Sequence, residues 1–292
     1  MDFQLDIIRA IQSIRFGFLD KLMEILTQIG DQFVFMGVVL VIYWFFNKKV
    51  AFKLVFSFAF SAVANELIKS VVKIERPFKE DPTLGVGEET SGYSFPSGHA
   101  QNTAVISTVL YKEYGKKNNW LKWVLLGAMI IVPLTRVYLG QHYPTDVLAG
   151  LALGILAALG LSKLVDLMGD NEHRVGLYMI PFLLLAITIL YIIGVDYHHF
   201  KNVYVALGAL AGFMGGYAID KMMINNQFKP TGIKVLYRVL IGLIGVVICY
   251  VGLSVLFDLI SVDNPILDAI RYAIICLYGT CGSAYLFKKL KV

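Results

Sequence analysis

Residues 145–165 read TDVLAGLALGILAALGLSKLV, an apolar run of the length that a helix needs to cross a bilayer. Similar runs recur along the chain, which is 57% apolar and 16% charged, with a mean hydropathy of +0.67. Soluble domains are closer to about 45–50% apolar and about a quarter charged. A single large soluble core would not produce repeated long apolar runs. The sequence therefore predicts a membrane protein with several spans.

The apolar runs predict an all-α fold, a polytopic membrane helical bundle of about nine transmembrane helices. Residues 1–30 differ, because Ile7, Ile8 and Ile11 recur at helical spacing between charged residues. This segment is predicted to be an amphipathic helix that lies in the membrane interface. The predicted spans are 31–47, 51–73, 97–111, 121–139, 145–165, 175–195, 202–220, 234–257 and 265–287.

The Lys and Arg residues predict which loops face the cytoplasm. With the loop at 47–53 in the cytoplasm, the loops on that side carry most of the basic residues, as the positive-inside rule expects. The N-terminus and the loops 74–96 and 136–144 then face outward. The net charge of +5 lies in loops rather than in a basic stripe, so no nucleic-acid partner is expected. No signal peptide is expected, since MDFQLDIIRAIQ lacks a basic start and an unbroken apolar stretch.

Two polar clusters stand at outward helix ends in this topology. In KSVVKIERP, residues 69–77, the cations Lys69, Lys73 and Arg76 have the spacing of one helical face. In FPSGHA, residues 95–100, a serine, a glycine and His99 open a helix. The free N–H groups of a helix N-terminus form a ready anion site.

A third cluster is TRVYLGQHYPTD, residues 135–146, with Arg136 at one helix end and His142 just before the next helix. Pro144 suits the first turn of that helix. A histidine beside a carboxylate can act as an activated nucleophile, since Asp146 would hold the proton on one ring nitrogen and leave the lone pair on the other. The second histidine is then free to protonate a leaving group. The cations and N–H groups suit a tetrahedral dianion.

The residues of each cluster also have a purely structural interpretation. A single basic residue at a helix end usually extends its charge to the interface. His142 and Asp146 could form an ordinary hydrogen bond, and Glu66 is expected to pair with Lys69 rather than to take part in chemistry. The combination of all three clusters on one membrane face favours function.

KSVVKIERP, PSGH and RVYLGQHYPTD resemble, in order and internal spacing, the signature motifs of the type 2 phosphatidic acid phosphatase (PAP2) superfamily. Those motifs are K-x6-R-P, P-S-G-H and S-R-x5-H-x3-D. Every charged position is filled, and Thr135 stands where the family usually has serine, so a hydroxyl is kept. The resemblance covers about residues 31–168.

The resemblance implies a phosphatase of membrane lipid phosphates or diphosphates that uses neither a metal nor another cofactor. The topology predicted above places its site at the outer face of the membrane, which is expected to be a bacterial cell membrane. His142 would attack phosphorus and form a phosphohistidine, with Asp146 orienting it and His99 protonating the leaving oxygen. Lys73 is not a signature position and is interpreted as a surface or outer cation. The phosphoryl oxygens would be bound by Lys69, Arg76, Ser97, the Gly98 amide and Arg136.

Three parts of the chain are therefore predicted: an interfacial helix at 1–30, a PAP2-like catalytic core at 31–168 and accessory transmembrane helices at 175–287. The accessory part carries a face of small residues suited to close helix packing, expected inside the chain, with a homodimer contact as the alternative. This face consists of Gly208, Gly212 and Gly216.

Other sequence features are given structural interpretations. The cysteines lie in apolar runs and are interpreted as small core residues rather than as a disulfide or metal framework. The loop DYHHFK could bind a metal through Asp196, His198 and His199, but exposed polar residues are the favoured interpretation. The cysteines are Cys249, Cys276 and Cys281.

Two alternative functions remain open. A phosphotransferase would use the same phosphohistidine with an acceptor other than water. A non-catalytic lipid transporter or scramblase would keep only the anion-binding charges, and the complete set of His142, Asp146 and His99 argues against it. The candidate substrates are phosphatidate-like lipids, isoprenoid diphosphates such as undecaprenyl diphosphate, and sphingoid-base phosphates.

Overall fold

The computed structural model describes residues 2–227, 229–261 and 263–292, without the side chains of His198 and His199. The metal-binding interpretation of DYHHFK therefore lies outside the described residues. Regular structure in the described ranges is entirely helical, which confirms the predicted all-α class. The α-helices are α1 (Asp2–Gln12), α2 (Gly17–Thr27), α3 (Gln32–Val41), α4 (Lys48–Val72), α5 (Pro77–Glu80), α6 (Gly98–Leu110), α7 (Asn119–Tyr138), α8 (Pro144–Leu167), α9 (Glu172–Ile193), α10 (Tyr197–Ile219), α11 (Ile233–Asp258), α12 (Pro265–Leu277) and α13 (Ser283–Leu290).

Within the described ranges, seven helices are long and apolar enough to cross a membrane, or up to eight if a bent pair is one span. The predicted count of nine is not confirmed. The predicted span 97–111 is the 13-residue helix α6, which continues into the π-helical turn Tyr111–Gly115 and is not one of the seven. The bent pair joins Gly17–Gly30 to Gln32–Phe46 at an angle of 51°.

The predicted single helix at 1–30 is wrong, because the segment forms two helices, α1 and α2. The chain leaves helical geometry at Phe16, which is extended with φ −156° and ψ 157°, and Gly17 starts the second helix. Ser13 closes the end of the first helix by donating its hydroxyl to the carbonyl of Ala10 at 2.7 Å. The inner face of α1 is packed, since Ile8 lies in a buried cluster with Leu5, Leu84, Val137 and Tyr143.

The chain forms two compact units. The first unit contains residues 1–39 and 60–163, and the second contains residues 40–59 and 164–292. All three motif regions lie in the first unit.

In the first unit, helices α6 and α8 pack closely enough to bring their N-terminal ends together. A Cβ at Gly150 would clash with the carbonyl oxygen of Ser97, and a Cβ at Gly154 would clash with that of Gln101. Only glycine allows this backbone approach. Helix α8 begins at Pro144, as the sequence predicts.

In the second unit, the small-residue face of α10 packs against α12 and the turn that follows it. A Cβ at Gly208 would clash with the carbonyl oxygen of Ala269, and a Cβ at Gly212 with that of Ala273. The prediction of packing inside the chain is confirmed. The alternative of a homodimer contact through this face is not supported, because helices of the same chain pack against Gly208 and Gly212.

Candidate active site

The first motif does not form one continuous helical face. Helix α4 ends at Val72, and the exposed Lys73 follows with a positive φ of 52°. Arg76 has ψ 152°, because a residue before proline avoids helical geometry. The predicted helical face through Lys69, Lys73 and Arg76 is therefore wrong, and Lys73 points away as a surface cation.

Lys69 lies in the last turn of α4, and its side chain is 14% exposed. Its Nζ lies 3.6 Å from Oε1 of Glu66, so the predicted pairing of these two residues is confirmed.

The guanidinium of Arg76 is the centre of the site's hydrogen bonds and is 1% exposed. Its Nη1 donates to the carbonyl of Gln141 at 3.0 Å and lies 3.1 Å from Nε2 of His142. Its Nη2 donates to the carbonyl of Ser91 at 2.8 Å, and its Nε to that of Gly92 at 3.0 Å. The first and third motifs thus meet at this arginine, which is held by carbonyl oxygens rather than by a carboxylate.

His142 lies between a carboxylate and the Arg76 guanidinium. Its Nδ1 is 3.5 Å from Oδ2 of Asp146, and Oδ2 also accepts hydrogen bonds from the Tyr143 amide at 2.8 Å and from the Ser94 hydroxyl. The Ser94 Oγ is 3.4 Å from the same Nδ1. A carboxylate next to Nδ1 favours the tautomer that carries its proton there. The lone pair is then on Nε2, on the side of Arg76.

A backbone hydrogen bond links the second motif to the third. The Ser97 amide donates to the carbonyl of Asp146 at 3.0 Å, just before α6 begins at Gly98. The Ser97 hydroxyl is fully buried and has no hydrogen-bond partner among the described residues. His99 is partly buried in the first turn of α6, and its carbonyl accepts from the Thr103 hydroxyl at 2.9 Å.

Arg136 is 4% exposed and lies in the last turn of α7. Its Nη1 donates to the hydroxyl of Thr27 at 3.3 Å and its Nη2 to that of Thr90 at 3.1 Å. Its Nε has no partner among the described residues, and no carboxylate there forms a salt bridge with it. A buried guanidinium with neutral partners favours an anion as its counter-charge.

Electrostatics keep the imidazole of His142 neutral. Burial lowers the pKa of His142 well below its ordinary value, and the charges of Arg76, Arg136 and Lys69 lower it further. The ring therefore stays unprotonated well below the usual titration range of histidine, and the lone pair on Nε2 faces Arg76. Among the described residues, no group of three or more His, Cys, Asp and Glu residues could hold a metal ion.

Sequence reasoning missed four residues that contact the predicted set. They come from residues 2–30, from the loop 77–95 and from the third motif. The only signal for them is the cluster of hydroxyl residues in TSGYS at 90–94, directly before FPSGH. The four are Thr27, Thr90, Ser94 and Gln141.

The chain is similar to known proteins over much of its length. The profile of the PAP2 superfamily matches residues 50–170, and the profile "PAP2 superfamily phosphatase, transmembrane extension" matches residues 204–292. An undecaprenyl-diphosphatase of Sulfolobus acidocaldarius is 32% identical over 155 residues, which are 52% of this chain and 73% of the relative. Phosphatidylglycerophosphatase B of Bacillus subtilis is 29% identical over 51% of this chain and 76% of the relative.

A solved structure has the same fold over part of the chain. It is the PAP2-type phosphatidylglycerolphosphate phosphatase of Bacillus subtilis, with a TM-score of 0.50 and 27% identity. The match covers 56% of this chain and 85% of that protein.

The helical fold, the apolar spans and these similarities define the class of the protein: it is a multi-span integral membrane phosphatase. The chain belongs to the PAP2 superfamily, since a relative that is 32% identical is matched over 73% of its length.

Proposed function

We propose that the protein hydrolyses a membrane lipid phosphate or diphosphate through a phosphohistidine at His142, at the extracytoplasmic face. One observation carries the proposal: the His142 ring lies between Asp146, 3.5 Å from Nδ1, and Arg76, 3.1 Å from Nε2. This arrangement combines an oriented nucleophile with a cation on the side where a phosphoryl group would approach.

In the first step, Nε2 of His142 attacks phosphorus, and the bond from phosphorus to the leaving oxygen breaks. Asp146 stabilises the positive charge that develops on the ring. His99 gives a proton to the leaving oxygen, which departs as an alcohol or as a lipid monophosphate. The phosphoryl oxygens are bound by Lys69, Arg76, Arg136, the Ser97 hydroxyl and the Gly98 amide, and these groups offset the charge of the transition state.

In the second step, water attacks the phosphohistidine. His99 accepts a proton from that water, the bond between phosphorus and Nε2 breaks, and inorganic phosphate leaves. The proposed role of Ser97 in binding a phosphoryl oxygen is supported by its buried hydroxyl, which has no hydrogen-bond partner among the described residues. The phosphotransferase alternative differs only in the acceptor, and no described residue distinguishes the two.

The substrate class is supported by the relatives. The matched proteins are named an undecaprenyl-diphosphatase and a phosphatidylglycerophosphatase, so both an isoprenoid diphosphate and a glycerolipid phosphate are candidates. We expect release of phosphate from at least one of undecaprenyl diphosphate, phosphatidylglycerol phosphate, phosphatidate and sphingosine phosphate. Glucose 6-phosphate serves as the soluble control. Activity on none of the lipids would contradict the proposal.

The cationic site also predicts the response to inhibitors. Because positive charges repel a metal ion, hydrolysis is expected to continue in EDTA. Vanadate, which can adopt the five-coordinate geometry of phosphoryl transfer, is expected to inhibit. Loss of activity in EDTA that magnesium restores would overturn the metal-independent mechanism.

The outward face can be tested by labelling single cysteines. In a background in which the native cysteines are replaced, Glu89→Cys in the loop after α5 and Lys117→Cys before α7 are both at exposed positions. We expect an impermeant thiol reagent to label the first from outside and the second only after permeabilisation. The reverse result would place the site on the cytoplasmic side.

A further inference from the structure

Residues 2–30, called the N-terminal segment here, lie outside the part of the chain that the family profiles match, yet they pack against the elements that carry the site. The side chain of Ile8 is fully buried. The Gln12 amide donates to the carbonyl of Leu84 at 2.8 Å and to that of Tyr138 at 2.6 Å. The segment is thus bound both to the loop after α5 and to the end of α7, which holds Arg136.

The end of this segment reaches the site itself. Thr27 is 4% exposed, and its hydroxyl accepts a hydrogen bond from Nη1 of Arg136 at 3.3 Å. A Cβ at Gly30 would come within 2.8 Å of the carbonyl oxygen of His99, so the backbones pack closely there. The N-terminal segment therefore contacts both a proposed phosphate-binding arginine and the backbone of the proposed general acid.

The outer face of the same segment is apolar and aromatic. Phe16, just before α2, and Phe18, in the first turn of α2, are 58% and 73% exposed, and their rings stack with centroids 6.4 Å apart. Arg15 and Lys21 flank them in the sequence. Aromatic rings next to basic side chains are typical of the membrane–water interface.

We propose that the N-terminal segment is an interfacial clamp: the turn at Phe16 and Phe18 binds the bilayer surface, and Thr27 positions the Arg136 guanidinium for the phosphate of a lipid. Among the described residues, Arg136 has two hydroxyl partners, Thr27 and Thr90, so the loss of one leaves the guanidinium free to turn away from the phosphate. Thr27 is a positioning residue, because it acts through Arg136. The lipid part of this proposal rests on the proposed function.

The first arm tests the contact with Arg136 in the full-length protein. Thr27→Val keeps the shape of the side chain and removes the hydroxyl. We expect KM for p-nitrophenyl phosphate and the inhibition constant of vanadate to rise about tenfold, with a smaller change in kcat, since one hydrogen bond to a charged group is lost. Thr27→Ser should restore both constants. The control is Thr188→Val. Among the described residues, the Thr188 hydroxyl donates to the Leu184 carbonyl of its own helix.

Unchanged KM and vanadate inhibition in Thr27→Val would overturn the clamp. An equal loss in Thr27→Ser would also overturn it, because that result would indicate packing rather than the hydroxyl. This arm uses a soluble ester and vanadate, so it remains informative even if the wild-type protein hydrolyses no lipid and the proposed function fails.

The second arm tests the bilayer contact in proteoliposomes that contain phosphatidate. The double variant Phe16→Ser/Phe18→Ser should raise the ratio of KM for phosphatidate to KM for p-nitrophenyl phosphate about fivefold, since two apolar contacts with the interface are lost. Phe182→Ser, at a position that is 71% exposed on α9, is the matched control and should leave the ratio unchanged. An unchanged ratio in the double variant, or an equal change in the control, would overturn the role of the turn.

Discussion

The three lysine pairs of the second unit and the two site arginines of the first unit balance their charges in different ways. In the second unit, each of three lysines faces a carboxylate: Lys48 with Asp220 at 2.7 Å, Lys221 with Glu172 at 2.6 Å, and Lys53 with Asp166 at 2.5 Å. In the first unit, Arg76 and Arg136 are 1% and 4% exposed, and they donate to carbonyls, hydroxyls and a histidine rather than to a carboxylate.

This difference separates charges that stabilise the fold from charges that can bind a ligand. A buried ion pair is neutral as a whole, so it can satisfy its own charge without a ligand. Two buried guanidinium groups without a carboxylate within salt-bridge distance, among the described residues, carry positive charge that a phosphate dianion would balance. Substitutions in the first unit should therefore change kinetics, and substitutions in the paired network of the second should change stability.

The largest effect is expected for the two histidines. His142→Ala removes the proposed nucleophile, so activity should be lost on a lipid phosphate and on p-nitrophenyl phosphate alike. His99→Ala removes the proposed general acid. General acid catalysis typically contributes about 10²–10⁴-fold, and an aryl oxygen, which is a better leaving group, depends on it less. His99→Ala should therefore be strongly impaired on the lipid and partly spared on the aryl ester.

Measuring both variants on both substrates gives four rate constants. If His142→Ala were the variant that the better leaving group rescues, the two roles would be reversed. Trapping labelled phosphate on the acid-quenched wild-type protein, but not on His142→Ala, would locate the covalent intermediate independently.

Arg76→Lys is expected to show the next largest effect. Lysine keeps the positive charge, but it cannot reproduce the planar set of donors that reaches Gln141, Ser91, Gly92 and His142. We expect kcat/KM to fall about 10²-fold, as for the loss of an oxyanion donor. Arg174→Lys, at an exposed position, is the matched control. A loss below threefold in Arg76→Lys would mean that charge alone is sufficient.

Ser94→Ala is expected to have a smaller kinetic effect. The Ser94 hydroxyl bonds to Asp146 and lies 3.4 Å from Nδ1 of His142, so its removal leaves both less firmly oriented. Because the Tyr143 amide still holds the carboxylate, kcat should fall only about tenfold. Ser91→Ala is the control from the same loop, since Ser91 contributes only its carbonyl to Arg76. Equal rates in the two variants would contradict a positioning role for Ser94.

The sequence predicted those parts of the site that depend on local geometry. Pro144 starts α8, and Arg136 lies in the last turn of α7, as the motif spacing indicates. The predicted helical face through Arg76 is wrong, because α4 already ends at Val72 and Lys73 has a positive φ. Thr27 and Ser94 could not be predicted, since they contact Arg136 and Asp146 through chain folding over long separations that no periodic pattern records.

The smallest kinetic effect is expected in the paired network of the second unit, where Tyr43→Phe makes the sharpest test. The Tyr43 hydroxyl is buried and donates to Oδ2 of Asp220 at 2.6 Å, while Lys48 stays 2.7 Å from the same oxygen. Removing the hydroxyl leaves the ion pair in place and should lower the free energy of unfolding by about 1–2 kcal/mol. The melting temperature in detergent should fall, with kcat/KM of the folded protein unchanged. Tyr285→Phe, at a position that is 54% exposed, should change neither. A loss of kcat/KM at constant melting temperature would show that buried charge in this unit also serves the reaction, and the contrast between the two units would no longer hold.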